Sequence, residues 1–524
     1  MTRLLAAAGS ISAFTLLSRI FGLVRDRLMA QTLGASWVQG TFLLAWTLPN
    51  LMRRLLGEGA LSASLVPAYA KARRSGNATE ARELLAQVTG TVITILFPLC
   101  LAVAVASLVL PAEWLPAPAK GGVPAMRLLL ALNSVLFVYA LPVCLTAVLS
   151  GALNTLGLFA LPAAVPIVLN AFWIGALLLA HPLGITVDVE IANFAACSLS
   201  IGGFLQLLLV VVPLHTRGEL LRPRLGLPRR GTAAFGVFVA MGPTVLGMSL
   251  NQVSSLLDTL MAYYLIAPGA VTYVYLANRL LLFPHALTAM SVAVAVFPKL
   301  AHEAHDTDRR ALRSTLDLAA GATILVTLPA SCGLIVLGDD VVRVLFRGGE
   351  FGEADVWPTV LTSSCLVAGL PFLGLAQIYA RAFYAVGDTS TPARFAVRLV
   401  LLNAAINVTL LLTTGLGTAG LTLASSISSL ANALLLAHAF HRHAAPGHTL
   451  RGAWARSLLA TAAMCVTLPF VKLAPADGSL LARALGNVAW PIGFGMAVYV
   501  LVHVLLRSPE LRALRRRRRR DAAG

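Results

Sequence analysis

The sequence predicts an all-α polytopic membrane protein with about fourteen transmembrane helices. Of its 524 residues, 58% are hydrophobic and only 12% are charged. That is about half of the charge that a soluble surface of this size requires. Apolar windows of about 20 residues, the length that crosses a bilayer, recur along the whole chain without an intervening polar domain. The chain is therefore expected to form one body in lipid rather than two or three soluble domains.

The predicted helices fall into three groups along the chain. The first six lie near residues 8–32, 38–70, 84–110, 124–150, 158–181 and 190–214. The next six lie near residues 232–265, 272–299, 312–337, 357–386, 392–414 and 416–440. Helices 13 and 14 are predicted near residues 453–472 and 484–506.

The net charge of +18 could indicate a nucleic-acid partner, but the basic residues lie mainly between the apolar segments and in the run Arg515–Arg520. If successive helices cross in alternate directions from a cytoplasmic N-terminus, most Lys and Arg fall on the cytoplasmic side. The opposite side holds only Lys120, Arg127, Arg343, Arg347, Lys472 and Arg483. This asymmetry follows the positive-inside rule. It predicts cytoplasmic termini and no nucleic-acid partner.

The two halves of the chain repeat one another at an offset of about 230 residues, the signature of an internal repeat. Short matches occur in the same order, at residues 26–30 and 258–262, 66–67 and 297–298, 141–142 and 370–371, 161–163 and 391–393, and 183–184 and 416–417. Because six helices return the chain to the same side, the halves share one orientation and form a parallel repeat.

The repeat predicts the domain organisation. Residues 1–222 form an N-lobe of helices 1–6, and residues 223–445 form a C-lobe of helices 7–12. Residues 446–507 add helices 13 and 14, and residues 508–524 form a basic cytoplasmic tail. A central cavity between the two six-helix lobes is the expected substrate site.

Seven arginines lie within the predicted membrane helices, where each costs roughly 2.5 to 3.5 kcal/mol if it faces lipid. Internal ion pairing is one explanation, but the available acids, Asp26, Glu58 and Asp258, are too few. The excess positive charge would attract a polyanion in a low-dielectric cavity, and guanidinium groups fit phosphate oxygens. Substrate contact is favoured for Arg19, Arg25, Arg53, Arg54 and Arg279, whereas Arg27 and Arg381 could equally extend to the membrane surface.

A second polar cluster consists of Asp258, Asn403, Asn407 and Thr422, with Ser425 one helical turn further on. These oxygen ligands could hold a sodium ion, although hydrogen bonding between helices is the commoner role of such residues. No nucleotide loop, nucleophile and base pair or other metal motif is evident, so the chain is predicted not to be an enzyme and to need no cofactor beyond sodium as a candidate coupling ion. The six cysteines lie far apart in apolar runs and are interpreted as core residues rather than disulfides.

Several motifs resemble a known family. Residues 18–26 (SRIFGLVRD), 48–60 (LPNLMRRLLGEGA) and 66–67 (VP) resemble the N-terminal signature of the MurJ (MviN) family of bacterial lipid II flippases. Residues 278–284, 345–351 and 380–392 are similar to its C-lobe segments. The family belongs to the multidrug/oligosaccharidyl-lipid/polysaccharide exporter superfamily. The resemblance spans nearly the whole chain, and the helix 2 motif is its most specific part.

The resemblance implies a multi-pass protein of the bacterial inner membrane that moves the undecaprenyl-diphosphate-linked peptidoglycan precursor from the cytoplasmic to the periplasmic leaflet by alternating access. It implies that Arg19, Arg25, Arg53 and Arg279 hold the head group with Asp26 and Glu58 beside them, and that helices 13 and 14 form a groove for the lipid tail. Expected partners are lipid II and membrane lipids, and the cell-wall synthesis or division machinery is a candidate. The chain departs from the family at Gly40, Leu282 and Asn407, where acids can occur.

Three alternative functions are open. A cation-coupled drug antiporter of the same superfamily would rely on cavity carboxylates, which the arginine excess disfavours. An O-antigen type flippase for polysaccharide-lipids shares the charge argument, and only the helix 2 motif separates it from a lipid II flippase. A structural protein of the division machinery would not need charged residues inside the membrane. Either sodium binding or the membrane potential could reset the transport cycle.

Overall fold

The computed structural model describes residues 2–55, 60–75, 78–118, 120–287, 289–304, 310–440, 450–473, 479–509 and 511. Within these residues the chain is helical, and their only β feature is a single bridge between Gly348 and Phe351. The predicted all-α class is confirmed.

The chain packs as two compact units, Met1–Thr272 with Gly348–Phe351, and Tyr273–Arg347 with Gly352–Gly524. The helices of the first unit are α1 (Thr2–Leu33), α2 (Trp37–Met52), α3 (Ala60–Arg74), α4 (Ala78–Val109), α5 (Gly122–Thr155), α6 (Ala160–Ala180), α7 (Asp188–Thr216) and α8 (Ala233–Met261). The helices assigned to the second unit are α9 (Ala270–Leu287), which begins just before the boundary, α10 (Ala289–Glu303), α11 (Arg310–Val336), α12 (Gly338–Leu345), α13 (Glu353–Val367), α14 (Leu370–Ala385), α15 (Ser390–Thr413), α16 (Thr418–Phe440), α17 (Arg451–Thr467), α18 (Leu480–Arg483) and α19 (Trp490–Leu505).

Ten helical segments of the described residues are long and apolar enough to cross a membrane. They are Ala78–Val109, Gly122–Thr155, Ala160–Leu183, Asp188–Thr216, Arg310–Val336, Glu353–Ala385, Ser390–Thr413, Thr418–Phe440, Arg451–Val471 and Leu480–Leu505. The chain is therefore a multi-pass membrane protein. The other four predicted crossings coincide with α1, α2 plus α3, α8, and α9 plus α10, and the total of fourteen stays a prediction.

The structure divides some of the predicted helices. Predicted helix 2 comprises α2, a π-helical turn at residues 53–55, and α3. Predicted helix 10 is interrupted at Gly369, where a Cβ atom would lie 2.6 Å from the Ser426 hydroxyl oxygen. The sequence did not predict α12, a short helix after α11 with two aspartates in its first turn.

In the first unit, α5 is the central helix, because α2, α3, α4, α6 and α7 all pack against it. Aromatic rings fix α2 in this bundle. The ring of Trp46 lies 5.1 Å from that of Tyr139 and 5.2 Å from that of Trp173, and Phe42 lies 5.4 Å from Trp173. Large buried rings contribute area and preferred geometry together, so this cluster is a rigid support for neighbouring side chains.

In the second unit, α16 packs against α13, α14 and α15, while α14 also contacts α10 and α11. Predicted helices 13 and 14 are attached through α17, which packs against α11 and α19. The Tyr499 hydroxyl on α19 donates to the Leu325 carbonyl at 2.7 Å. The predicted lobe boundaries rest on the sequence repeat and stay a prediction. Packing assigns α8 to the first unit, where it contacts α3 and α4.

Part of the basic linker after α7 is held along α4. We call residues 219–226 the strap. The Arg224 amide donates to the Ala86 carbonyl at 3.0 Å. The Thr91 hydroxyl donates to the Gly226 carbonyl at 3.1 Å, and the Gly226 amide donates to the Thr94 hydroxyl at 2.8 Å. These bonds satisfy linker backbone groups that would otherwise need water, so the strap is a fixed part of the first unit.

The strap is also anchored by a buried acid at its start. Glu219 is 6% exposed. Its carboxylate lies 2.6 Å from the Arg73 guanidinium, 3.6 Å from that of Arg82, and 3.3 Å from the Tyr69 hydroxyl. Burial by itself would raise the pKa of the Glu219 carboxyl, but the hydrogen bond and charge of Arg73, with Arg82 and Tyr69, outweigh burial and lower this pKa. The cluster joins α3, α4 and the strap.

Gly90 should be required for the strap to lie against α4. A Cβ atom at this position would lie 2.0 Å from the Arg224 carbonyl oxygen, and side-chain rotation cannot relieve a clash with backbone. We expect Gly90→Ala to destabilise the purified protein by about 1 to 3 kcal/mol, the usual cost of overpacking, measured as a lower melting temperature in detergent. Gly236→Ala on α8 is the control, because no atom lies within 4 Å of its Cβ position. Equal melting temperatures for Gly90→Ala and the unsubstituted protein would contradict this packing.

The Glu219 cluster predicts a dependence of stability on pH. Because folding lowers the pKa of this carboxyl, its stabilising contribution is complete above the unfolded value of about 4.3. It is lost as the pH falls through the lower folded value. Thermal melting from pH 7 to pH 3 should show a smaller loss of stability for Glu219→Gln than for the unsubstituted protein, and Glu219→Gln should be less stable at pH 7. Parallel curves for the two proteins would remove Glu219 from this role.

Candidate functional site

The candidate site in the first unit centres on two adjacent residues of α1. Arg25 and Asp26 are only 6% and 3% exposed. The Arg25 Nη2 and Nε atoms donate to the Asp26 Oδ1 atom at 2.6 Å and 3.0 Å. A buried charge without a partner costs several kcal/mol, so this pair is what makes Arg25 tolerable inside the bundle. The internal pairing considered for the sequence therefore applies to Arg25.

Two residues of α6 hold Arg25 in one orientation. Its Nη1 atom donates to the Asn170 Oδ1 atom at 3.0 Å, and its guanidinium lies 4.5 Å from the Trp173 ring centroid. Residues three apart face the same side of a helix, which is why both side chains of α6 meet the same arginine. The Asn170 amide donates in turn to the Ser18 carbonyl on α1 at 3.3 Å.

Sequence reasoning missed Asn170 and Trp173. A polar Asn three residues before a Trp in an otherwise apolar helix was the available signal. It could not indicate α1 as the neighbour, because the packing of α1 against α6 brings together residues that are far apart in the chain.

The arginines of the helix 2 motif lie where α2 gives way to the π-helical turn. Arg53 is half-buried, and its Nε and Nη2 atoms donate to the Asn50 Oδ1 atom at 3.2 Å and 3.0 Å. Arg54 is exposed, and its Nη1 atom lies 3.4 Å from the Gln252 Oε1 atom on α8. Glu58 lies outside the described residues. Amide oxygens of Asn50 and Gln252 thus orient these two guanidinium groups.

Arg19 is exposed on α1. It is seven residues, or about two helical turns, from Asp26 and therefore on the same helix face. Arg27, which the sequence left undecided, is half-buried.

In the second unit, Arg279 on α9 is half-buried beside Tyr275. Its Nη2 and Nε atoms donate to the Tyr275 hydroxyl at 2.7 Å and 3.2 Å, and its guanidinium lies 4.9 Å from the ring centroid. Arg381 on α14 is also half-buried. A tyrosine contact orients a guanidinium, so Tyr275 fixes the direction of the Arg279 side chain.

The departure from the family at Gly40 has a steric reason. A Cβ atom at Gly40 would lie 1.7 Å from the Pro268 carbonyl oxygen, within the first unit. Gly269 lies close to the turn between α1 and α2, since its Cβ position is 2.2 Å from the Ala35 carbonyl oxygen. No acidic side chain fits at residue 40 with this backbone.

The predicted sodium ligands lie in different units. Asp258 is half-buried on α8 of the first unit. In the second unit the Asn407 amide donates to the Asn403 Oδ1 atom at 3.2 Å, and the Thr422 hydroxyl donates to the Thr362 carbonyl at 2.8 Å. These bonds are typical of polar contacts between and within membrane helices. The described residues contain no group of three His, Cys, Asp or Glu that could hold a metal, and the sodium site stays a prediction.

Comparisons with known proteins relate this architecture to a family. Residues 29–478 match the profile described as lipid II flippase MurJ. A relative in Vibrio cholerae, named a probable lipid II flippase MurJ, is 29% identical over 98% of both chains. A relative in Burkholderia cenocepacia, named lipid II flippase MurJ, is 30% identical and covers 82% of each chain.

Solved structures show the same fold. One described as lipid II flippase MurJ in an inward closed conformation has a TM-score of 0.75 at 23% identity, over 95% of this chain and 98% of that one. An inward-facing MATE family multidrug transporter of the MOP superfamily has a TM-score of 0.63 at 14% identity, over 83% of this chain and 98% of that one. The profile match covers most of the chain and includes the helix 2 motif, and on this evidence the chain belongs to the lipid II flippase MurJ family.

Proposed function

We propose that this protein is a lipid II flippase, a transporter rather than an enzyme. It moves the undecaprenyl-diphosphate-linked peptidoglycan precursor from the cytoplasmic to the periplasmic leaflet of the bacterial inner membrane by alternating access. Membership of the flippase family supports the substrate. The observation that carries the proposal is a set of arginines on membrane helices, with Arg25 locked in a buried pair, Arg53 oriented by Asn50 and Arg279 oriented by Tyr275.

The contacts of the arginines suggest two different roles, binding of the head group and positioning of helices. Arg25 contacts Asp26, Asn170 and Trp173, so it stabilises the packing of α1 on α6. Arg53 and Arg54 have amide partners that a diphosphate can replace, because charge-assisted hydrogen bonds to phosphate are stronger than those to an amide oxygen. We assign head-group contact to Arg19, Arg53, Arg54 and Arg279 and a positioning role to Arg25 with Asp26.

The membrane potential and sodium binding are the two candidate driving forces, and the potential would act on the same charges. An arginine set without an equal number of acids gains roughly 2.3 kcal/mol per charge for each 100 mV crossed. A potential that is negative inside would therefore favour return of the empty site to the cytoplasmic side. Sodium binding at Asp258, Asn403, Asn407 and Thr422 is the competing proposal.

The proposed orientation places both termini in the cytoplasm. The basic residues of the strap and of the neighbouring helix ends, including Arg73, Arg82 and Arg224, then lie on the cytoplasmic side. Helices α17 to α19 would form the groove for the lipid tail. Proteins of cell-wall synthesis or division are candidate partners.

Depletion of the protein should trap lipid II in the inner leaflet. The expected result is loss of lipid II from the periplasmic face, measured by its cleavage with an externally added enzyme that hydrolyses the exposed head group. Re-expression of the protein should restore cleavage, and re-expression of Arg127→Ala should do so equally, because that arginine is exposed and paired with Glu113 outside the helices of the site. Unchanged cleavage after depletion would reject the assignment.

The two roles assigned to arginines can be separated by paired substitutions. Arg25→Ala leaves Asp26 buried and uncompensated, which should destabilise the protein by about 3 to 5 kcal/mol. Removing both partners in Arg25→Ala/Asp26→Ala should recover most of that stability. Arg53→Ala should leave the melting temperature within a few degrees but lower lipid II transport in vesicles at least tenfold.

Two results would contradict this division. The first is a stable Arg25→Ala single variant, and the second is an Arg53→Ala variant that transports normally. Because stability and transport are measured on the same preparations, loss of folding cannot be mistaken for loss of binding.

A further inference from the structure

The strap and the residues that follow it carry exposed leucines as well as arginines. Leu225 and Leu227 are each 71% exposed, and Leu221 is 37% exposed. Gly226 has a φ of 128°, a conformation that residues with a side chain rarely adopt, so the backbone bends between Leu225 and Leu227. We call residues 225–227 the strap tip. Large apolar side chains exposed side by side mark an interaction surface.

Hydrogen bonds to α4 set the level of the strap tip. The Gly226 amide donates to the Thr94 hydroxyl, and the Gly226 carbonyl accepts from the Thr91 hydroxyl. The charged residues of α4 end at Glu83, and its exposed large apolar side chains begin at Ile95. Because a helix rises about 1.5 Å per residue, Ile95 lies about 6 Å beyond Thr91 along the helix axis. The strap tip is therefore at the boundary between the charged end of α4 and its lipid-facing part.

Arginines flank the strap tip on both sides. Residues 220–232 contain no acid and four exposed arginines, Arg222, Arg224, Arg229 and Arg230. Arg224 lies 3.1 Å from the Glu83 carboxylate on α4. The acid at the start of the strap, Glu219, is buried. The exposed surface of this segment is thus positively charged at the level where α4 enters lipid.

We propose that the strap tip and its flanking arginines are a binding site for anionic phospholipids. The leucines enter the region where head groups meet acyl chains, and the arginines bind the lipid phosphates. Guanidinium groups form charge-assisted hydrogen bonds with phosphate oxygens. Basic and apolar side chains that alternate in one segment are typical of chains that lie in the membrane interface. Because hydrogen bonds already fix the strap on α4, binding orders little additional backbone.

This lipid site consists of residues other than the arginines assigned to the substrate head group. Its ligand is a phospholipid of the surrounding bilayer, which stays in its leaflet and is not transported. The site anchors the charged ends of α3 and α4, which the strap joins through Glu219, to the membrane surface. In the orientation of the proposed function that surface is the cytoplasmic leaflet, where anionic lipids attract basic segments.

Lipid titration tests the arginines. Full-length protein in dodecyl maltoside is titrated with phosphatidylglycerol, or with phosphatidylcholine of the same acyl chains, and its melting temperature is measured. We expect only phosphatidylglycerol to raise the melting temperature. In Arg222→Gln/Arg229→Gln/Arg230→Gln the half-saturating concentration of phosphatidylglycerol should rise at least about tenfold, because each basic residue adds to the attraction. An unchanged half-saturating concentration would overturn the site.

Two controls separate this site from general electrostatics and from binding of a soluble anion. Arg394→Gln/Arg398→Gln/Arg451→Gln removes the same charge from exposed arginines of the second unit and should leave the half-saturating concentration nearly unchanged. An equal weakening in this variant would show that net charge alone attracts the lipid. Glycerol 3-phosphate lacks acyl chains and should not raise the melting temperature. Equal stabilisation by glycerol 3-phosphate would replace the lipid by a soluble anion, and either result would overturn the proposal.

The depth of the leucines is measured independently. A nitroxide is attached at Leu225→Cys in a Cys197→Ser background, which removes an exposed native thiol. The protein is placed in nanodiscs of phosphatidylglycerol and phosphatidylcholine, and collisions of the label with oxygen and with a water-soluble nickel complex are compared. Matched labels at Ser75→Cys, exposed just after α3, and at Leu101→Cys, exposed on α4, report water and lipid.

We expect the label at residue 225 to favour oxygen, as the label at residue 101 does, because oxygen concentrates in the acyl region. A label as accessible to nickel as the one at residue 75 would mean that the leucines face water, as a surface for a protein partner would, and would overturn the proposal. Neither measurement uses lipid II, so failure of the lipid site and failure of the flippase assignment give different results.

Discussion

The buried ion pair of Arg25 and Asp26 is the interaction on which the first unit depends. A guanidinium inside a membrane bundle is tolerated only if its charge and its hydrogen-bond donors have partners. Asp26 supplies the opposite charge, Asn170 an acceptor, and Trp173 a ring face. The same Trp173 belongs to the aromatic cluster that fixes α2 in the bundle. The helix 2 motif with its arginines begins in α2. The residues that compensate the charge of Arg25 therefore also hold α1, α2 and α6 together.

Close backbone contacts set a second constraint. The absence of a side chain at Gly90 lets the strap pack against α4. In the same way the Pro268 carbonyl packs against Gly40, and the Ala35 carbonyl packs against Gly269. At each position a side chain would displace a neighbouring backbone rather than a rotatable group. This explains why the chain has no acid at residue 40. It also shows that the linker, which its composition suggests is a solvated basic loop, is held by hydrogen bonds over part of its length.

Much of the fold could be predicted from the sequence, because membrane crossing imposes length and polarity on each helix separately. The predicted helical segments coincide with helices, and the arginines chosen for their cost in lipid include the buried Arg25. The interruption of predicted helix 10 at Gly369 was missed, although Pro371 in the first turn of α14 has no backbone N–H to continue the preceding helix. Asn170 and Trp173 were missed because they meet Arg25 on another helix.

The sequence by itself determined the class of protein, the family resemblance and the identity of the charged residues that cannot face lipid. Those conclusions depend on composition, on period and on local motifs, which are properties of single segments. The tertiary structure decided that Arg25 is buried in a pair with Asp26, and that Asn170 and Trp173 of α6 meet this arginine of α1. Such outcomes depend on distances of a few ångströms between helices that the chain connects only through many intervening residues, and electrostatic interactions are decided at those distances.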